Sequence, residues 1–123
     1  MAKKILIVED ETDTRSALVQ AFRDEGFEVL EAADGHQGLT TALAEHPDLI
    51  LLDIILPTMS GIIVLDRLVE DEWGKTAKVI LLTALEDMET MSEVIERGAY
   101  DYFVKSNWKL EDIVKRAKEK MGV

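Results

Sequence analysis

Residues 49–61 read Leu-Ile-Leu-Leu-Asp-Ile-Ile-Leu-Pro-Thr-Met-Ser-Gly. Leu49 to Leu52 form an aliphatic run with no polar alternation, the pattern of a strand covered on both faces. The run ends on one carboxylate, Asp53. Pro57 then interrupts the chain, and Ser60 is placed to start a helix carrying Val64, Leu65 and Leu68. Strand, loop and helix in that order make one unit of a parallel sheet, whose strands need long crossovers.

Working outward, the same unit recurs. Apolar blocks, largely aliphatic, stand at Ile5 to Val8, Val29 to Ala33, Val79 to Leu82 and Tyr100 to Val104. Between the first two, Ala17, Leu18, Ala21 and Phe22 form a helical stripe ended by Gly26, with Thr12 or Asp13 available as its cap. Asp34 with Gln37 resembles a capping box ahead of Leu39, Ala42 and Leu43, and Pro47 stops that helix. A fourth helix is expected to carry Met88, Met91, Val94 and Ile95 and to end at Gly98; a fifth carries Leu110, Ile113, Val114 and Ala117. Five alternations predict an α/β domain with a parallel sheet and right-handed crossovers. No repeat, low-complexity stretch or linker divides it, so residues 1–123 read as a single unit.

Composition narrows the function. The 123 residues carry 14 Lys+Arg against 25 Asp+Glu, a net charge of −11. A chain of this length buries roughly two-thirds of its unfolded surface without a staple, and it has no cysteine for one. That removes disulfides, thiolate catalysis and cysteine-bound zinc together. The acidic surplus repels phosphate backbones and anionic bilayers, which argues against direct nucleic-acid or membrane binding. Lys3 and Lys4 precede an apolar run that breaks at Glu9, too short for a signal peptide, and no run is long enough to span a bilayer. The chain reads as soluble, intracellular and cytoplasmic.

In open parallel sheets, chemistry collects beyond the carboxyl ends of the strands. Those ends deliver Glu9 and Asp10, Asp53, Thr83 and Lys105. Taken singly, an acid after a strand is usually a helix cap, a threonine there a strand-end residue and a lysine a solvated charge. Taken together, five such groups on four strand ends point to a site. Two like charges about 4 Å apart cost on the order of 4 kcal/mol at an effective dielectric of 20, a cost that a divalent cation removes. Oxygen-only ligands select a hard ion, and a few carboxylates completed by water suit Mg²⁺ better than Ca²⁺. A lysine and a hydroxyl at the same edge supply what phosphoryl oxygens require.

The sequence resembles the receiver domain of two-component response regulators over essentially its whole length. The resemblance rests on Ile-Leu-Ile-Val-Glu-Asp-Glu from residue 5, on residues 53–61, on Leu-Leu-Thr83-Ala84, and on Gly98-Ala-Tyr-Asp-Tyr-Phe-Val-Lys105. It implies a flavodoxin-like, doubly wound, five-stranded parallel sheet of order 2-1-3-4-5 with five helices. It further implies that Asp53 accepts a phosphoryl group, that Asp10 ligates Mg²⁺ directly, that Glu9 assists through water and that the Ile55 carbonyl is a further ligand. Lys105 would pair with the phosphoryl group, Thr83 would hydrogen-bond it, and Tyr102 would turn inward on activation. The implied donor is a sensor histidine kinase or phosphotransfer protein. The output would be altered binding of a downstream protein through the fourth helix, fifth strand and fifth helix, as a monomer or a phosphorylation-dependent homodimer. Its part in the chemistry is that of a phosphoacceptor assisting its own phosphotransfer and dephosphorylation, not of an enzyme. The initiator Met and the short tail favour a stand-alone regulator.

One departure stands out: Ser106 follows Lys105 where the family usually has proline, so a trans peptide is expected there, and Ser106 or Asn107 is free to cap the last helix. Ile55 and Leu85 would flank the pocket, either as isolated apolar surface residues of the ordinary kind or as a shield that keeps water from an acyl phosphate. His36 and His46 lack a ligand pattern and read as surface residues. Gly35 and Gly38 form neither a dinucleotide fingerprint nor a P-loop. Met88 and Met91 read as core, and Trp73 and Trp108 as packing beside helix ends. Two other readings compete. A haloacid-dehalogenase-type phosphatase wants a second acid where Ile55 stands, and an unphosphorylated pseudo-receiver scaffold would not need the five strand-end groups intact.

Overall fold

In the computed structural model, which describes residues 2–83, 92, 101–104 and 109–123, each of the five apolar blocks holds a strand. They are β1 (Lys4–Val8), β2 (Glu28–Ala32), β3 (Leu49–Asp53), β4 (Val79–Thr83) and β5 (Asp101–Val104). Each pairs in parallel with its neighbours in the order β2-β1-β3-β4-β5. Several strands begin or end one residue away from the aliphatic runs. The β1–β2 ladder starts at the pair Lys4 and Glu28, because backbone pairing does not require apolar side chains at a solvated sheet rim.

Alternation along the strands divides the core in two. Leu6, Val8, Ile50, Leu52 and Leu81 point to one face, where they meet Ala42 of α2 (Gly35–Glu45) and Val64, Leu65 and Leu68 of α3 (Gly61–Val69). Ile5, Ile7, Leu49, Leu51, Ile80 and Leu82 point to the other, against Leu18, Val19 and Phe22 of α1 (Thr12–Asp24) and Ile113, Ala117 and Met121 of α4 (Leu110–Met121). Burial on both faces is why these strands lack polar alternation. Each fully buried leucine or isoleucine contributes about 1.5–3 kcal/mol relative to exposure.

Four α-helices and a 3-10 turn at Gly74–Thr76 lie among the described residues, rather than the five helices expected. The expected fourth, carrying Met88, Met91, Val94 and Ile95 and ending at Gly98, falls outside them. Ser60 caps α3 by accepting from the Ile63 N–H at 3.3 Å, and Asp34 caps α2 by accepting from the Gln37 N–H at 2.8 Å. The first helix corrects its expectation. Its N-cap is Glu11, with no side-chain capping bond, so neither Thr12 nor Asp13 caps it. Within it Val19 is buried and Ala17 exposed, a shift of the stripe toward the sheet. The N-cap position of α4 is Lys109, while Ser106, Asn107 and Trp108 lie outside the described residues.

At the opposite end of the sheet from the strand-end acids, His46 adopts the left-handed conformation (φ 48°) as the C-cap of α2 and stacks on Trp73, ring centroids 4.4 Å apart. Both residues therefore sit beside helix ends, as expected for Trp73; the stack itself has no signature in the sequence.

Candidate functional site

The strand order reverses between β1 and β3, so the loops leaving their carboxyl ends diverge to opposite faces and open a crevice between them. Into that crevice the fold delivers Glu9, fully buried, Asp10, exposed, and Asp53, buried at the end of β3. One carboxylate oxygen from each lies within 4.8 Å of the others, and this is the one such cluster among the described residues. Two oxygens on opposite sides of a single Mg²⁺ are about 4.2 Å apart, so the spacing admits direct ligands together with one bridged by water. All donors are oxygen, the chemistry a hard cation prefers.

The backbone holds this cluster from several sides. The Glu9 N–H donates to the Ala32 carbonyl at 3.0 Å, extending the β1–β2 ladder one step past β1. The Glu9 carbonyl in turn accepts from Nη1 of Arg15 at 2.8 Å. Beyond Asp53, the Ile55 N–H donates to Asp53 Oδ1 at 3.2 Å, a local turn that orients the carboxylate. The Ile54 carbonyl accepts from the Gly61 N–H at 2.8 Å. A Cβ at Gly61 would collide with the Asp53 carbonyl oxygen, so glycine is what lets α3 start directly against the end of β3.

The loop between β3 and α3 is also tied to the start of α2. The Gly35 N–H donates to the Pro57 carbonyl and the His36 N–H to Thr58 Oγ1, both at 3.2 Å, while Thr58 Oγ1 donates to Asp34 Oδ1 at 3.2 Å. Thr58 takes φ 64° to make these contacts. Here lies the use of Gly35: a Cβ there would strike the Met59 carbonyl, so its role is close packing and not phosphate binding.

Of the remaining expected residues, Thr83 is the last residue of β4, in register with Val104 of β5. Tyr102 lies in β5 and is 41% exposed. Ile55 is 57% exposed, two residues beyond Asp53. Lys105 and Leu85 lie outside the described residues. Arg15, Asp34 and Thr58 were not legible as site residues; an arginine one turn into a helix and a threonine after proline carry no pattern that marks them.

A doubly wound sheet with three acids at its switch point defines a class, the phosphoacceptor signalling domains of two-component systems. The chain belongs to the response regulator receiver domain family, whose sequence model matches residues 5–118. Among curated relatives, the sporulation initiation phosphotransferase F of Bacillus subtilis is 41% identical over 106 residues, covering 85% of this chain and 83% of that protein. The probable transcriptional regulator ycf27 of Cyanophora paradoxa is 40% identical over 103 residues, covering 84% of this chain and 42% of that protein. The chain thus spans most of one relative and less than half of the other. Among solved structures, a receiver domain protein from Methanospirillum hungatei superposes with a TM-score of 0.92 at 31% identity, covering 99% of this chain and 95% of that one. The receiver domain of a sensor histidine kinase from Pseudomonas aeruginosa, with magnesium coordinated in its active-site cleft, gives 0.89 at 26% identity and covers both chains completely. Phosphorylation-controlled signalling is therefore the activity of this domain, and none of its helices among the described residues is long and apolar enough to cross a membrane.

Proposed function

We propose that residues 1–123 form a single receiver domain in which Asp53 accepts a phosphoryl group from a phosphohistidine on a sensor histidine kinase or phosphotransfer protein. The observation that carries this reading is the convergence of Glu9, Asp10 and Asp53 at the switch point, with carboxylate oxygens within 4.8 Å. Asp10 and Asp53 would hold Mg²⁺ directly, with the Ile55 carbonyl as a further ligand and Glu9 acting through water. The cation supplies charge neutralisation for the carboxylates and the incoming phosphoryl oxygens.

A carboxylate oxygen of Asp53 forms the new bond to phosphorus as the bond to the donor imidazole nitrogen breaks, and the departing imidazole takes up a proton. Asp53 is prepared for this because its other oxygen is oriented locally by the Ile55 N–H. Lys105, which follows β5 in sequence, would pair with the transferred group, and the Thr83 hydroxyl would hydrogen-bond it. That new bond biases an existing equilibrium toward the active state, with Tyr102 turning inward. The altered face, comprising the segment before β5, β5 itself and α4, would bind a downstream protein or a second phosphorylated copy. The net charge of −11 argues against nucleic acid or an anionic membrane as a direct partner of this domain, whose setting would be the cytoplasm.

Incubation with Mg²⁺ and a small phosphodonor, followed by intact mass measurement, tests the proposal. One phosphoryl adduct lasting minutes is expected. Steady release of phosphate from the donor by catalytic turnover would indicate a phosphatase instead, and neither adduct nor turnover would indicate a scaffold.

A further inference from the structure

The backbone of Glu9 is gripped at both ends by groups that belong to β2 or are tied to it. Its N–H donates to Ala32 of β2 at 3.0 Å. Its carbonyl accepts from Nη1 of Arg15 at 2.8 Å, and Nε of the same guanidinium donates to Oε1 of Glu31, also on β2, at 3.1 Å. The Arg15 side chain is only 17% exposed. It stands one turn into α1, so a single planar group joins the exit of β1, the sheet-edge strand and the helix that follows the acidic pair.

Charge alone does not explain why the guanidinium reaches the Glu9 carbonyl. An arginine beside a site meant for a divalent cation opposes the ion's entry, and a guanidinium kept for stability could pair with Glu31 without reaching the Glu9 carbonyl. The two-point fork of arginine, which lysine lacks, matches a role in fixing backbone geometry. We propose that Arg15 is a positioning residue: its guanidinium fixes the Glu9–Asp10 backbone so that both carboxylates converge with Asp53 on a divalent cation. This rests on the reading of the acidic cluster given above.

Charge and geometry predict opposite signs. Removing a positive charge near the site would tighten Mg²⁺ binding, whereas releasing the clamp would loosen it. The experiment is calorimetric Mg²⁺ titration of the full chain as wild type, Arg15→Lys, Arg15→Gln and Glu31→Gln, each shown to be folded by circular dichroism. Hydrogen exchange at the Glu9 amide is measured alongside. Groups that orient metal ligands typically change affinity by roughly tenfold or more when removed. Arg15→Lys, which keeps the charge and loses the fork, is therefore expected to weaken Mg²⁺ binding by about tenfold and to quicken Glu9 exchange. Arg15→Gln should weaken it too, and Glu31→Gln should shift it less in the same direction. If Arg15→Lys does not fold, Glu31→Gln carries the test.

Unchanged Mg²⁺ affinity in Arg15→Lys, or tighter binding in Arg15→Gln, overturns the proposal while leaving the cluster's reading intact. A wild type that binds no Mg²⁺ overturns that reading, and the positioning role with it.

Discussion

Gly61 offers a perturbation for which two physical effects disagree in sign. It is the first residue of α3, and glycine is less favourable than alanine within a helix by about 1 kcal/mol. Most of that difference is the greater freedom of glycine in the unfolded chain, whose loss is stabilising by about 0.4–1 kcal/mol where the native backbone tolerates the change. Local propensity alone therefore predicts a more stable protein. Packing predicts the reverse. The new Cβ would collide with the Asp53 carbonyl oxygen and stand 2.8 Å from the Ile54 Cα, both main-chain atoms that no rotamer change can move aside.

Relief requires the first turn of α3 to back away from the end of β3. Overpacking of that kind costs about 1–3 kcal/mol. The retreat would also stretch the 2.8 Å bond from the Gly61 N–H to the Ile54 carbonyl, a loss of about 1 kcal/mol. Set against a propensity gain of about 1 kcal/mol, the net expectation is destabilisation by roughly 1–3 kcal/mol, or a Tm lower by roughly 4–12 °C for a domain of this size. Urea unfolding followed by circular dichroism, with an unchanged m value, measures it. Because the clash falls on the main chain of Asp53 and Ile54, phosphorylation of Asp53 should slow as well. A variant as stable as the wild type, or more so, would refute the packing argument.

Three further outcomes are expected. Burial raises the proton affinity of Asp101, but hydrogen bonds from Lys120 and Arg116 more than offset that, so its folded pKa lies below the ordinary carboxylate value of 3.8; the contribution is present above that value and is lost as pH falls through the lower folded pKa. The stability gap between wild type and Asp101→Asn should therefore be steady near neutrality and close on acidification below about pH 4, while a gap independent of pH would contradict the assignment. His46→Ala and His46→Gly both lose the Trp73 stack, but only alanine keeps a Cβ strained in the left-handed conformation, so urea titration should find the alanine variant less stable than the glycine one by about 1 kcal/mol; equal stabilities would show that position 46 is not strained. Ile55→Asn, replacing an exposed apolar side chain beside the acceptor with a polar one, should shorten the lifetime of phospho-Asp53 several-fold, and an unchanged decay would show that Ile55 does not shield it.

The fold was readable because its signal is local. Leu49 to Leu52 lack polar alternation since both of their faces are covered, and Ser60 and Asp34 mark helix starts with the side-chain caps they form. The start of α1 was misread because Glu11 holds the N-cap position without a side-chain bond, leaving nothing for a capping pattern to detect. At the site, Glu9, Asp10 and Asp53 were legible as acids that terminate aliphatic runs. Arg15 and Thr58 were not, because their importance lies in reaching a carbonyl six residues away and a helix start 24 residues away. The first forms where α1 leaves β1, and the second only once β2 and β3 have been laid on either side of β1. The His46–Trp73 stack was invisible for the same reason, joining residues that only the two α/β crossovers bring together.

The central claim is that Asp53 is the phosphoacceptor. Borohydride reduction of the phosphorylated protein converts an aspartyl phosphate to homoserine, and peptide mass mapping then locates it. Homoserine is expected at position 53 alone, dependent on Mg²⁺ and absent from Asp53→Asn. Conversion at another position, or none at 53 under phosphorylating conditions, would contradict it.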